Sequence, residues 1–241
     1  MLVLSGTDIG KVRGSNQDAF YADYLYDKSV LAIVCDGMGG ANAGNIASSL
    51  AVKTVSDYIV NSYSGKMSGN SLLELMKNAV VSANIKVCEE AKKNPEYFGM
   101  GTTAVVVIVR DESAYICHAG DSRAYIINDE IKQITKDHSV VQSLLEDGKL
   151  TPEEAKTHPK RNVITKALGV EQNLIPDLTE ISVSSGDMLL LCSDGLSNYV
   201  DESKMFRIIK ENAQEETVRH LIDAANDNGG GDNITAVTVI L

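Results

Sequence analysis

The chain has 241 residues, 44% of them hydrophobic and 23% charged, and carries a formal net charge of −11. That is the composition of a folded globular protein long enough to bury a large core. Its acidity argues against a nucleic-acid backbone or an anionic membrane surface as the main partner. No apolar run approaches the ~20 residues that span a bilayer, and Met1 leads into "LVLSGTDIG" without a basic and then apolar leader, so a cytoplasmic protein is expected.

Alternating or apolar runs predict strands over 2–9, 18–25 and 29–36. The last of these lies in "LAIVCDGMGG", from Leu31 to Gly40, which is apolar on both faces and ends in Asp36 and Gly37. Two helical patterns follow, one with Ile46, Leu50, Val55, Tyr58 and Ile59 on one face, the other with Leu72, Met76, Ala79, Ala83 and Val87. Strands are then expected over 102–110, 113–119, 123–128 and 130–135, as a run of hairpins turning at 110–112, at Gly120-Asp121 and at Asn128-Asp129. The segment 137–169 is polar and holds two of the 4 prolines, which suits short helices and a loop beside the main body. Strands over 178–183 and 187–193 come next. The second, in "MLLLCSDGLS", ends like its earlier counterpart, in Asp194 and Gly195. Helical patterns around Met205, Phe206, Ile208 and Ile209 and around Val218, Leu221, Ile222 and Ala225 precede a last strand over 233–241. A strict βαβα alternation is absent, so antiparallel sheets with the helices segregated outside are expected.

The cysteines, Cys35, Cys88, Cys117 and Cys192, form no C-x-x-C pair, and none has the loop-before-helix setting of a cysteine phosphatase nucleophile. They read as small hydrophobes in a reducing compartment. His118, His138, His158 and His220 read as structural or surface imidazoles.

Asp18, Asp36, Asp121, Asp194 and Asp232 all fall at expected strand ends, where a sandwich would gather them along one edge. A single Asp-Gly only turns a chain. Two carboxylates ~4 Å apart repel by about 4 kcal/mol at an effective dielectric of about 20, so a cluster has to bind cations or take up protons. Oxygen ligands without His or Cys select magnesium, manganese or calcium. An acidic two-metal site suits the hydrolysis of phosphate esters.

Seven stretches carry a more specific resemblance: "RGSNQD", "CDGMGG", "GTT" at Gly101 to Thr103, "GDSR" at Gly120 to Arg123, "HPKRNVITKALG", "CSDGL" and "GGGDNIT". Their order and spacing resemble those of the bacterial metal-dependent protein phosphatases, the protein phosphatase 2C class, over nearly the whole chain. The resemblance implies an α+β, four-layer αββα sandwich in which helix pairs flank two central antiparallel sheets. It also implies a single catalytic domain over 1–241 with a small flap subdomain over about 137–169 that touches the protein substrate. By the same resemblance Asp36 bridges two metals, with the Gly37 carbonyl on one of them, and Asp194 and Asp232 bind the other. Asp121 shares a third, looser metal with Asp194, Asp18 holds metal-bound waters, and Arg13 grips the substrate phosphate. The implied activity is hydrolysis of phosphoserine and phosphothreonine in proteins with Mn²⁺ or Mg²⁺. It would be carried out by a monomer that opposes a Ser/Thr protein kinase and counts that kinase among its phosphoprotein substrates.

The chain departs from that pattern at the position of the general acid. Animal members have a histidine where Met38 stands, and many bacterial members have a histidine at the position of Ala41 and a glutamate at that of Asn45. Neither Met38 nor Ala41 can donate a proton. Among rival readings, a receiver domain would need βα alternation and about half this length, and a two-metal nuclease would need a basic groove. A relative that binds phosphoproteins without catalysis would have lost metal-ligand positions that are all present here.

Overall fold

A computed structural model of the protein describes residues 1–39 and 43–241. Strands β1 (Leu2–Asp8), β2 (Asp18–Tyr24) and β3 (Val30–Met38) are followed by helices α1 (Gly44–Ser62) and α2 (Gly69–Lys93). Then come β4 (Gly101–Thr102), β5 (Ala104–Arg110), β6 (Ser113–Ala119), β7 (Arg123–Ile127) and β8 (Ile131–Gln133). Two short helices, α3 (Val140–Glu146) and α4 (Pro152–Thr157), lead to β9 (Asp177–Ser182) and β10 (Met188–Cys192). The chain ends with α5 (Asp194–Ser197), α6 (Glu202–Glu211), α7 (Thr217–Asp227) and β11 (Ile234–Ile240).

Two antiparallel sheets stack face to face, one in the order β1-β11-β10-β7-β8 and the other in the order β2-β3-β5-β6-β9, with β4 paired to β3. The period-2 alternation of the central strands shows how the layers form. On β3, Leu31, Ile33 and Cys35 pack outward against α1 and α2, while Val30, Ala32 and Val34 pack inward against the other sheet. On β10, Met188, Leu190 and Cys192 face α6 and α7, while Leu189 and Leu191 face the inter-sheet core. The result is an α+β sandwich of four layers, with helix pairs outside.

The structure corrects three expectations. Gly120-Asp121 is not a hairpin turn, because β6 and β7 belong to different sheets and residues 120–122 cross between them. The free edge of β6 is taken by β9, in a register from Ser113↔Ser182 to His118↔Asp177, so β7 pairs with β10 instead. Tyr58 is not on the inward face of α1. It is 36% exposed, and the buried stripe runs through Ala47, Ala51, Val55 and Ile59, whose small members let the helix lie close to β3. Asp36 does not end its strand, since β3 continues to Met38 by pairing Gly37↔Thr102 and Met38↔Gly101 with β4.

Within 137–169, α3 is capped by the Ser139 side chain and α4 by a capping box of Thr151 and Glu154. An isolated bridge, Ser139↔Ile164, joins the two ends of the segment to each other, and another, Thr102↔Leu168, ties it to the body.

Candidate functional site

Strand pairing brings the aspartates together. The β2–β3 register sets Asp18 directly across from Asp36. In the other sheet, Cys192 pairs with Ala236 on one side and Arg123 on the other. Asp194 therefore leaves β10 beside Asp232, which precedes β11, and beside Asp121, which precedes β7. At Gly195 a Cβ would run into the Asn233 carbonyl, so the turn after Asp194 can close this tightly only with glycine.

A cleft of about 750 Å³ opens at this end of the sandwich. Arg13, Asp36, Gly37, Asp121, Asp194 and Asp232 all line it, with Met38, Thr103, Asn162 and Asn233 among their neighbours. Asp18 is not on the cleft surface but behind Asp36. Its Oδ2 accepts hydrogen bonds from Ser193 Oγ and Thr235 Oγ1, each at 2.7 Å. Arg13 Nη2 donates to Asp232 Oδ2 at 2.7 Å, and Asn198 Nδ2 donates to Asp194 Oδ2 at 3.0 Å. Ala41 lies outside the described residues, and Asn45 is exposed at the start of α1.

The electrostatics are those of crowded anions. Burial, and then the charges of Asp18, Asp194, Asp121 and Asp232, push the Asp36 carboxyl well above the usual carboxylate range. Burial, and then the charges of Asp194 and Asp137, raise Asp121 to about 7. Burial and Asp232 raise Asp194 to about 6. Burial raises Asp18 to about 6 even though two hydroxyls donate to it. The hydrogen bond from Arg13 to Asp232 raises the guanidinium still further. Arg13 is the one cation among the described lining residues. Asp18 Oδ1 and Asp194 Oδ1 are buried with no hydrogen-bond partner among the described residues. An all-oxygen donor set with orphaned carboxylate oxygens fits hard divalent cations, whose charge would relieve the repulsion.

Several supporting residues had no assigned role in the sequence, although the motifs contain them. Asn233 ties the Arg13 loop to the Asp232 turn: its Nδ2 donates to the carbonyls of Ile9 (2.9 Å) and Ser15 (3.0 Å), and its Oδ1 accepts from Gln17 N–H (2.8 Å). Thr103 Oγ1 accepts from the Asp36 N–H at 2.9 Å and bonds Ser122 Oγ at 2.7 Å, which braces Asp36 against the residue after Asp121.

Known proteins resemble this chain in sequence and in fold. Residues 6–225 match the family model described as Protein phosphatase 2C. The chain is 37% identical over 235 residues to the serine/threonine phosphatase stp of Listeria innocua, covering 97% of this chain and 93% of that one. It is 38% identical over 237 residues to the protein phosphatase PhpP of Streptococcus pneumoniae, covering 97% and 94%. The solved structure of the serine/threonine phosphatase Stp1 from Staphylococcus aureus has a TM-score of 0.94 at 37% identity, covering 99% of this chain and 94% of that one. The catalytic domain of the serine threonine protein phosphatase PstP, solved in complex with 2 manganese ions, has a TM-score of 0.87 at 34% identity and covers 98% and 96%. With 97% of its sequence matched and its fold superposing at that level, the chain belongs to the protein phosphatase 2C family of metal-dependent serine/threonine phosphatases.

Proposed function

We propose that the cleft hydrolyses phosphoserine and phosphothreonine monoesters of proteins, with Asp36, the Gly37 carbonyl, Asp194 and Asp232 holding two divalent cations, Mn²⁺ or Mg²⁺. Asp121 and Asp194 hold a third, and Asp18 orders water behind Asp36. The observation that carries this reading is the convergence of Asp36, Asp121, Asp194 and Asp232 on one cleft with Asp18 behind it, one oxygen each of Asp18 and Asp194 being buried without a partner among the described residues. Cations bound there supply an activated water and neutralise the phosphoryl oxygens.

The chain's own residues do the rest. Arg13 offers a planar fork to the phosphate dianion, exchanging its contact with Asp232 for one with substrate. Asn233 and Thr103 hold the Arg13 loop and the Asp36 strand in register, so ligands and phosphate clamp keep their spacing. The described lining residues include no histidine, cysteine, lysine or tyrosine. With the cleft aspartates committed to the cations, the proton that a serine or threonine alkoxide needs on leaving then comes from solvent.

Residues 137–169 would serve as the flap beside the substrate, within one catalytic domain over 1–241. The four free, buried cysteines suit a reducing cytoplasm, and among the described residues no helix is long and apolar enough to cross a membrane. A cytoplasmic monomer opposing a Ser/Thr protein kinase, with that kinase among its substrates, is the role proposed. The test is release of phosphate from a phosphothreonine peptide by the purified chain. Activity that requires manganese and vanishes with a chelator is expected, and activity that survives chelation would overturn the reading.

A further inference from the structure

The turn that carries Asp121 is held by a residue that does not line the cleft. Gly120 has a φ of +115°, and a Cβ there would lie 2.6 Å from Thr103 Cβ, so the crossover from β6 to β7 has little choice of path. Both backbone polar groups of Gly120 go to His138. The Gly120 N–H donates to His138 Nδ1 at 3.1 Å, and the Gly120 carbonyl accepts from the His138 N–H at 2.9 Å. The His138 carbonyl accepts in turn from the Thr165 N–H at 2.8 Å, so one residue joins the Asp121 turn to both ends of the 137–169 segment.

The hydrogen bonds leave the imidazole one tautomer. Nδ1 accepts from an amide, so the ring proton lies on Nε2, which faces Asp177 Oδ2 at 3.2 Å. Asp177 is fixed through its other oxygen by Lys166 Nζ at 2.9 Å. Against the ring's face lies His118, stacked at 4.5 Å with 8° between the planes, its Nε2–H donating to the Lys136 carbonyl at 2.9 Å. Burial and the charge of Lys166 hold His138 below the usual imidazole range, against the opposing pull of Asp177 and Asp137. His118, His138 and Asp177 also bring ligand atoms within 4.8 Å of one another, a spacing that suggests a transition-metal site. The stack argues against that use: the in-plane lone pairs of parallel rings run side by side instead of converging on one ion, and both nitrogens of His138 are already engaged.

We propose that His138 is a positioning residue for Asp121: locked by Asp177 and Lys166 as the Nε2–H tautomer, it presents Nδ1 as the acceptor that fixes the Gly120 amide, and thereby aims the Asp121 carboxylate into the cleft. The inference rests on the assignment of Asp121 to cation binding made above.

Two variants separate the acceptor from the donor. His138→Asn keeps an acceptor at the distance of Nδ1 from Cβ, whereas His138→Gln keeps a donor at the distance of Nε2 and has no acceptor at the Nδ1 place. In metal-free protein, hydrogen exchange at the Gly120 amide is expected to stay slow in wild type and His138→Asn and to speed up in His138→Gln. With saturating manganese, kcat on nitrophenyl phosphate should fall about tenfold in His138→Gln with KM unchanged, and His138→Asn should restore most of it. Equal behaviour of the two variants in either measurement would overturn the proposal. A long-range proton–nitrogen correlation on the metal-free wild type tests it without any variant: an Nε2–H tautomer at His138 is expected, and an Nδ1–H tautomer would overturn it. Asp121→Asn separates the two layers of the argument. Wild-type kcat in that variant would remove the cation assignment of Asp121 and leave the hydrogen bond to be judged by exchange and tautomer alone.

Discussion

At the scale of single residues, Asp36 carries the heaviest electrostatic load, since four other aspartates act to raise its pKa and none of them can leave. Asp36→Asn should therefore lower kcat at least about tenfold, measured on nitrophenyl phosphate with saturating manganese, and kcat near the wild-type value would contradict its proposed role as a cation ligand. If Arg13 grips the phosphate in ground and transition states alike, as proposed, Arg13→Ala should raise KM for a phosphothreonine peptide about tenfold, as the loss of a charge-assisted hydrogen bond does, with a smaller fall in kcat. With the cleft aspartates committed to cations and Met38 where a donor could stand, the described cleft wall offers no free side-chain acid, which makes a third prediction. A positioned acid is worth about 10² to 10⁴ in rate, so kcat should depend steeply on leaving-group pKa across aryl and alkyl phosphates, and Met38→His should flatten the slope. A flat plot for the wild type would reveal another acid. The aspartates could be read from the sequence because a carboxylate at the end of a strand apolar on both faces is costly unless a cation meets it. Asn233 could not, because its partners, the carbonyls of Ile9 and Ser15, lie more than two hundred positions away and are brought to it only by the β1–β11 pairing.

At the scale of elements, a largely buried ion pair anchors the base of the segment 137–169. Arg123 on β7 grips Asp137 with Nε at 2.9 Å and Nη2 at 2.7 Å, and the side chains are 24% and 12% exposed. Removing one partner of such a pair strands the other, so Asp137→Ala should cost about 3 kcal/mol, seen as a fall in the melting temperature of roughly 6–12 °C for a chain of this size. An unchanged melting temperature would mean that the base of the segment is held by other contacts. The strand and helix order was legible because the apolar runs are long and their periods distinct. The β6–β7 connection was not, because a Gly-Asp between two strands looks the same whether the strands pair with each other or part into two sheets. What decides is the edge of β6, already occupied by β9 from beyond residue 176. Tyr58 was misplaced for a related reason: helical spacing puts it near the apolar stripe, but the alanines at 47 and 51 bring α1 too close to β3 for a ring at that edge.

At the scale of the whole molecule, two apolar sheets gather five carboxylates at one end, four in the cleft and Asp18 behind it, and the fold bears the repulsion unless cations arrive. Asp18, Asp121 and Asp194 have folded-state values of about 6, 7 and 6, above the ordinary 3.8, so the native state favours their protonated forms. That stabilisation is complete below the ordinary carboxylate range and is lost as pH rises through about 6 to 7. His118 works in the other direction. Burial and the neighbouring His138 lower it to about 4, so its contribution is present above the ordinary imidazole value and is lost as pH falls towards 4. The melting temperature of metal-free protein should accordingly fall as pH rises through about 6 to 7, and saturating manganese should abolish that fall. A metal-free melting temperature that is flat or rising across the window would contradict it. The layered fold could be foreseen from the segregation of helices and from the motifs, but the depth of the charge conflict appears only when the β2–β3 register sets Asp18 opposite Asp36. The most direct test of the central claim is anomalous diffraction at the manganese edge from crystals grown with that ion. Manganese peaks within bonding distance of Asp36, Asp194 and Asp232 are the predicted result, and a cleft without them, or manganese held instead at His118, His138 and Asp177, would contradict it.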